Sequence, residues 1–563
     1  MFSQSKLGAA ATASGLLLLS ALARAQGFGG PPTPGPAALD PDAEPVRSCE
    51  SLAGVALPDT TIESAAVDGN LCRVTAVTTH PPAGDRVTIW VAIPMTGWNG
   101  RFMGTGGGGF SGGSAGGVNQ PAAQGYAAGA TDTGHEGGSG SFALDAGNRL
   151  AWQLIRDNAH VGIHEMTVTG KSLTEALYGE APRYSYFNGC STGGRQALME
   201  AQRYPEDYDG VVAGAPAINW PKLHVQQLWG PMLMQNEGNP VAPCKLARAT
   251  AAAIEACDTI DHVEDGVIED PARCDYDPAA LIGSSTADCA AFTAADASII
   301  SRIWDGPTRA DGSALWIGAP RGSDLAALSN SSGDPLRPQA MFITLDWFKY
   351  FLTADANFDW TTVTPAGYER LFDQSVEQFG TVIGTDNPDL SAFRDRGGKA
   401  VVWHGWADQL ISAHGTVDYY DRVVAETGGL EDTQEFIRLF MAPGVGHCAG
   451  GNGPQPGGQI EALIDWVEND RAPDMLTATL RAGGGRAGGG FGGPPGGARG
   501  AVPGGAPGGA PAGARGGAQG AAAGAAPAAV IRTRPLCPYP LVSVYRGRGS
   551  TDEAASFACR EEF

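Results

Sequence analysis

The sequence predicts an α/β fold built on a largely parallel sheet, with a large lid domain inserted into it. Two observations carry that expectation. Strand-like runs alternate with helix-like runs: YSYFNG precedes GGRQALMEAQRY, AVVWHG precedes HGTVDYYDRVVAET, and FIRLFMA precedes QIEALIDWVEND. Such alternation marks βα units whose helices cover the faces of a parallel sheet. The stretch 219–397 then breaks the rhythm with cysteines, acidic loops and aromatic clusters, so it reads as the lid.

The first element is not part of the fold. Lys6 precedes an apolar stretch, from about Leu7 to Leu22, closed by Ala23-Arg24-Ala25. A basic start, a short apolar run and a small-residue cleavage site make 1–25 a secretory signal, cleaved after Ala25. The rival reading, a membrane anchor, needs a longer apolar run than this one offers. The mature chain is therefore expected to be secreted or periplasmic, with no membrane partner. Export suits the ten cysteines, an even number, all after the signal and none in a CxxC pair. Disulfides persist in that compartment. Local spacing suggests Cys49–Cys72, Cys257–Cys274 and Cys537–Cys559, while Cys244 and Cys289 stay unassigned. With 60 acidic against 37 basic residues and a net charge of −23, nucleic acid is an improbable partner.

From about Ser51 to Pro94 short apolar runs alternate, VTIWVAI most clearly, and read as strands. The catalytic unit is thus split into 26–218 and 398–563 around the lid. Within its second half, 482–528 is a tract of Gly, Ala, Pro and Arg with too little apolar surface to offset ordering. TATLRA before it and AAVIRTRPL after it read as strands, so the tract is expected to be a disordered insertion in a hairpin loop.

Gly189-Cys190-Ser191-Thr192-Gly193 fits G-x-S-x-G, in which small flanks let a serine sit on a strained strand-to-helix turn. The pattern alone is weak, since Gly112-Gly113-Ser114-Ala115-Gly116 also matches. Context separates them: Ser191 lies between a strand-like and a helix-like run, Ser114 in a glycine-rich loop. A serine nucleophile needs a base, and the base an orienting acid. In α/β-hydrolases these follow in the order Ser, Asp or Glu, His, on loops after late strands. Asp408 follows AVVWHG and His447 follows FIRLFMA, matching that order. His404, His414 and His135 compete as bases, but His404 and His414 bracket Asp408 with no later acid-then-histidine order, and His135 precedes the serine. The oxyanion hole needs two backbone donors. One is the N–H of Thr192, and the other comes from Gly106–Gly109, with Gly108 the choice. Cys190 adjoins the serine and Cys448 adjoins His447, so a bond between them would tie nucleophile and base loops. The alternative is two independent buried cysteines.

These motifs together, GCSTGGRQAL, WHGWADQLIS, GVGHC, CDTIDHVEDGVIEDPARC and RPLCPYP, resemble the tannase/feruloyl esterase family of α/β-hydrolases. The resemblance runs from about Cys49 to Cys559, the tract excepted. It implies Ser191, Asp408 and His447 as the triad, Cys190–Cys448 as its supporting disulfide, and small aromatic esters as substrates. The acidic segment 258–267 reads as a calcium loop, because calcium takes clustered carboxylates and carbonyls. It is not an EF-hand: the 12-residue template from Asp261 ends at Ala272 rather than Glu. A solvated acidic turn is the plainer alternative. The resemblance implies a structural lid calcium held by Asp258, Asp261 and Asp265 side chains and by the carbonyls of Val263 and Val267. No organic cofactor is implied.

The function expected is a serine esterase for esters of aromatic carboxylic acids. The alternatives are an esterase like the mono(2-hydroxyethyl) terephthalate hydrolase, or a binding protein that keeps the fold without turnover. The lid aromatics Trp347, Phe348, Tyr350, Phe351, Phe358 and Trp360 either pack a core or line an acyl pocket. Deleting 483–525 is expected to leave melting temperature and ester hydrolysis nearly unchanged, because loop-closure entropy grows only logarithmically with length. Calorimetry and initial rates on the deletion check this.

Overall fold

The order of nine strands fixes where a site can open. The computed structural model describes residues 35–482 and 528–562, so the signal 1–25 and nearly all of the 482–528 tract lie outside the described residues. In chain order the central strands are β1 (Thr60–Asp68), β2 (Leu71–Thr78), β3 (Val87–Pro94), β4 (Arg101–Thr105) and β5 (Ala127–Thr131). They continue as β6 (Tyr184–Cys190), β7 (Gly210–Gly214), β8 (Lys399–Gly405) and β9 (Ile437–Ala442). Across the sheet they run β1-β2-β3-β5-β4-β6-β7-β8-β9. From β5 to β9 every neighbouring pair is parallel, while β1, β2, β3 and β5 pair antiparallel. The chain leaves β4 toward one edge, to β5, and leaves β6 toward the other, to β7. Adjacent strands with diverging connections leave a crevice outside their carboxyl ends, where ligands bind in open α/β sheets. Gly106 follows β4 there, and Ser191 follows β6.

Side-chain alternation explains the layers. In β3, Val87, Ile89, Val91 and Ile93 enter one core, while Ala92 enters the core on the other face. Central strands are buried on both faces and read as continuous apolar runs, as GVVAG does in β7. Helices Gly162–Tyr178, Thr192–Arg203 and His414–Thr427 cover one face through Leu173, Leu198 and Tyr420. Helix Gln459–Asn469 covers the other through Leu463 and Trp466. Residues 220–395 contribute none of the nine strands; they share one core with Phe110, Ala143, Ile155 and Ala159 of the preceding segment and form another entirely from their own residues. Trp220, Trp347, Phe351 and Phe379 centre one; Met234, Leu246, Ile300 and Trp304 centre the other.

All ten cysteines pair. Cys49–Cys72, Cys257–Cys274, Cys537–Cys559 and Cys190–Cys448 form as expected, and Cys244 bonds Cys289. Strands Leu476–Arg481 and Val530–Leu536, which flank the glycine-rich tract, pair antiparallel with Arg481 opposite Val530. Among the described residues no helix is long and apolar enough to cross a membrane.

The amino end of β4 is pinned by charge. Arg101 Nε and Nη2 each donate to one oxygen of Glu468 at 2.6 Å, and Tyr186 Oη donates to Glu468 Oε1 at 2.7 Å. The two charged side chains are 4% and 10% exposed, so this bidentate pair is largely desolvated. Removing one member strands the other charge in the interior, which costs about 3–5 kcal/mol. Glu468→Ala is expected to lose that much stability in urea titration while kcat holds, because the pair sits at the sheet end away from Ser191.

Candidate active site

The turn after β6 is strained. Ser191 adopts φ 64° and ψ −121°, a region that side-chain-bearing residues rarely enter and that costs about 1–3 kcal/mol. The surrounding backbone holds it there. Ser191 N donates to Gly214 O at 3.0 Å, and Ser191 O accepts from Arg195 N at 3.0 Å and Ala217 N at 3.2 Å. The glycine spacing is a packing requirement: a Cβ on Gly189 would stand 2.5 Å from the carbonyl carbon of Gly193. Ser114, by contrast, has extended backbone, φ −155° and ψ 160°, at the start of a short 3-10 helix.

Helix Thr192–Arg203 is stitched to the glycine-rich loop after β4. Gly193 N donates to Gly107 O at 3.1 Å, and Thr192 Oγ1 donates to Gly109 O at 2.6 Å. Gln196 spans the loop, accepting from Gly107 N at 3.0 Å and donating to Gly112 O at 3.1 Å. Gly109, Thr192, Ser191 and His447 line one cavity. Gly108 does not line it; its carbonyl accepts from Ser111 N at 3.1 Å and closes the turn. The residue of this loop on the cavity wall is therefore Gly109, one beyond the position chosen from sequence.

Asp408 and His447 meet. His447 Nδ1 lies 2.8 Å from Asp408 Oδ2, and Gln409 Oε1 accepts from His447 N at 3.1 Å. A carboxylate facing Nδ1 fixes that nitrogen as the protonated one and leaves Nε2 as the basic nitrogen. Asp408 is 1% exposed. Its Oδ1 accepts from the amides of Leu410 and Ile411 at 2.8 and 2.9 Å. Its Oδ2 also accepts from His404 Nε2 at 3.0 Å, and that ring is held by Thr416 Oγ1 at 2.8 Å from Nδ1. Burial opposes the carboxylate's charge, but His447 and then His404 outweigh it and hold its pKa well below the usual range. His404, weighed from sequence as a rival base, is thus a second donor to the same acid. Its four-residue spacing from Asp408 was the available signal. The other rivals lie elsewhere: His414 packs against Trp406 at 5.0 Å between ring centres, and His135 stacks on Phe142 at 3.8 Å.

Cys190–Cys448 joins the two loops directly, with 6.0 Å between Cα atoms. Of the six lid aromatics, Trp347, Phe348 and Phe351 are core residues, and Tyr350, Phe358 and Trp360 pack against that core. The cavity wall comes instead from other lid residues, Trp220, Leu223, His224 and Gln227 soon after β7 and Met341 and Ile343 further on. Sequence reasoning passed over these, because a WPKLHVQQLW segment reads as ordinary buried helix.

The acidic loop folds on itself. Asp258 Oδ1 accepts from the amides of Asp265, Gly266 and Val267 at 3.0, 2.9 and 3.2 Å. Asp261 Oδ1 accepts from Val263 N at 3.1 Å, and Asp265 Oδ2 pairs with Arg534 at 2.6 Å and Arg532 at 3.3 Å. Burial pushes Asp261 up to about 6, with neighbouring Asp265 adding to the shift. An all-oxygen donor set with a crowded, buried carboxylate fits a hard cation such as calcium.

A sharp serine elbow at a sheet's switch point, facing an Asp–His pair from later strands, defines an α/β-hydrolase. Comparison with known proteins narrows the class. The sequence profile "Tannase and feruloyl esterase" matches residues 72–560. A probable feruloyl esterase of Arthroderma benhamiae is 35% identical over 518 residues, 90% of this chain and 87% of that protein. The mono(2-hydroxyethyl) terephthalate hydrolase of Piscinibacter sakaiensis is 28% identical over 566 residues, covering 88% and 85%. The crystal structure of an Aspergillus oryzae esterase superposes with a TM-score of 0.73 at 26% identity, covering 91% of this chain and 99% of that one. The chain belongs to the tannase and feruloyl esterase family and is a carboxylic ester hydrolase.

Because Cys190–Cys448 sets how the two loops face one another, its loss should act on geometry as well as stability. A misplacement near 1 Å costs on the order of 100-fold in rate. Cys190→Ala/Cys448→Ala is expected to lose most of its kcat well below its melting temperature, read by kinetics alongside circular dichroism.

Proposed function

We propose that the chain is an exported serine esterase that cleaves esters of aromatic carboxylic acids through an acyl-enzyme. The observation that carries this is the 2.8 Å Asp408–His447 contact on the cavity that also holds the strained Ser191. In this reading Ser191 Oγ attacks the ester carbonyl while His447 Nε2 takes its proton. The carbonyl oxygen, now an anion, is received by the N–H groups of Thr192 and the Gly108–Gly109 turn. His447 returns the proton to the departing alcohol, and water then releases the acid by the same steps. Asp408 stabilises the imidazolium and stays ionised, as its depressed pKa requires. The A-x-A signal and five disulfides support export.

The acidic loop supports a structural calcium held by Asp258, Asp261 and Asp265 with the carbonyls of Val263 and Val267. Bound there, the ion would crosslink the lid and supply no chemistry to the ester. Chelation with EDTA is expected to lower Tm by several degrees, with recovery on adding calcium in excess. An unchanged Tm would leave the plain acidic turn.

Ser191→Ala is expected to lower kcat/KM on aromatic esters by on the order of 10⁴-fold or more with its Tm intact, since triad members act as a unit. A panel of gallate, hydroxycinnamate and mono-terephthalate esters assigns the acyl group. Wild-type protein that turns over none of them would favour the binding-protein alternative.

A further inference from the structure

Away from the Ser191 cavity, three carboxylates close on one imidazole. His80 and Asp85 lie in the 79–86 segment between β2 and β3. Asp157 opens the π-helical turn Asp157–Val161, and Glu165 follows in helix Gly162–Tyr178. His80 Nδ1 is 2.6 Å from Asp85 Oδ2 and 3.7 Å from Asp157 Oδ1, while its Nε2 is 3.8 Å from Glu165 Oε1. One ligating atom from each of His80, Asp85 and Asp157 lies within 4.8 Å of the other two. Asp85 and Asp157 are buried, whereas the His80 and Glu165 side chains are 24% and 27% exposed, so an ion has a way in. Among the described residues no Lys or Arg nitrogen comes within 4.0 Å of any of these three carboxylates; His80 is their one partner of opposite sign. Asp157, 0% exposed, is left short even of hydrogen bonds. Gln153 Nε2 donates to its Oδ1 at 2.7 Å, but its buried Oδ2 has no partner. A buried carboxylate oxygen with neither donor nor cation is costly, so such an atom points to a ligand. The related cluster of His164, Glu200 and Asp207 differs, because Lys171 is drawn to it and donates to the Asp207 carbonyl.

We propose that His80, Asp85 and Asp157 form a cation site, separate from the acidic loop 258–267, that takes a divalent transition metal of the zinc type. One nitrogen among carboxylate oxygens suits zinc or cobalt better than calcium, which prefers six to eight oxygens. Zinc bonds of about 2.0–2.1 Å at tetrahedral angles set ligands about 3.3 Å apart. The 2.6 and 3.7 Å separations around His80 Nδ1 bracket that spacing. The ion would replace the proton on Nδ1, so Nε2 carries the ring's N–H and faces Glu165. A ligating imidazole that gives its other N–H to a carboxylate is the common arrangement at metal sites. Asp85 would bind through Oδ2, since its Oδ1 already accepts from His80 N at 3.0 Å. Asp157 closes the third side, and water fills the fourth position from the exposed rim. Bound there, the ion would fasten the 79–86 segment to the turn that carries Asn158, whose Nδ2 donates to Phe110 O at 2.9 Å. None of these ligands lines the Ser191 cavity, so the site stands or falls apart from the esterase reading.

The test is a cobalt(II) titration of the full chain, first stripped of metal and then held in excess calcium so that the acidic loop is not the reporter. Cobalt stands in for zinc and shows its ligands through visible absorption. Wild-type protein is expected to take up one equivalent at saturation, which zinc displaces. Zinc is also expected to raise Tm by a few degrees, because an ion that binds only the folded chain stabilises it. Asp157→Asn keeps the side chain's shape and should weaken cobalt binding by about 100-fold or more, while Glu165→Gln, one step removed from the ion, should weaken it about tenfold. His80→Gln should match Asp157→Asn, and it reads the site if Asp157→Asn fails to fold. Both variants should lose the zinc-dependent gain in Tm. No saturable cobalt uptake in the presence of calcium would overturn the proposal and leave a proton held between the Asp85 and Asp157 carboxyls. Stoichiometric uptake that survives in both His80→Gln and Asp157→Asn would overturn it as well, by placing the ion elsewhere.

Discussion

The positive φ of Ser191 is the constraint around which the site is arranged. A serine left to itself would relax out of that conformation, so every neighbour that holds it is committed to a position. Gly214 O takes its amide, Ala217 and Arg195 take its carbonyl, and Gly189 must lack a side chain for the turn to close. Gln196, one turn into the helix, then fixes the glycine-rich loop against the same element. The strained turn at Ser191 and the glycine-rich loop facing it are thus held by one connected set of hydrogen bonds. Atoms that must act together at the transition state are set before substrate arrives.

The acid side follows a different logic. Asp408 is buried deeply enough that its charge would be unfavourable alone, yet four donors converge on its two oxygens. Two come from backbone amides in its own loop and two from imidazoles. His404 sits behind the acid and His447 in front, so the carboxylate is held from both sides and cannot rotate away from the base. The loop that carries it is buttressed by Gln409, which reaches across to the amide of His447. Acid and base are coupled by more than their own hydrogen bond.

Much of this was legible in the sequence where chemistry imposes spacing. Gly189 and Ser191 form a recognisable pattern because the close approach of the Gly193 backbone leaves no room for a side chain at position 189. Asp408 and His447 fall after late strands because the crevice opens at carboxyl ends, and three disulfides follow from short separations. What was not legible depends on three-dimensional neighbours. The turn places Gly109 rather than Gly108 on the cavity wall, a matter of one residue that only the folded loop decides. Whether Trp347 and Phe351 pack a core or line a pocket depends on how the lid folds, and they went to the core. Trp220 and His224 looked like core residues and are buried as such, but their burial lies against the cavity. Periodicity reports that a residue is inside, not which interior surface it meets.

The lid's place in the chain has a consequence for how the molecule comes to exist. It is inserted between β7 and β8, so the sheet is synthesised in two instalments. Until β8 emerges, the edge of β7 is an unpaired, apolar strand with no side-chain charge to protect it, the kind of edge that recruits other chains. At ordinary synthesis rates the intervening segment keeps it waiting for about ten seconds or more. The core around Met234, Leu246, Ile300 and Trp304, made wholly of lid residues, gives that segment something to fold around in the interval. An insertion with one core of its own can thus begin to order while the parent sheet stays open. The last strands to arrive, β8 and β9, bring Asp408 and His447 with them, so that pair meets the Ser191 turn only when the sheet is closed.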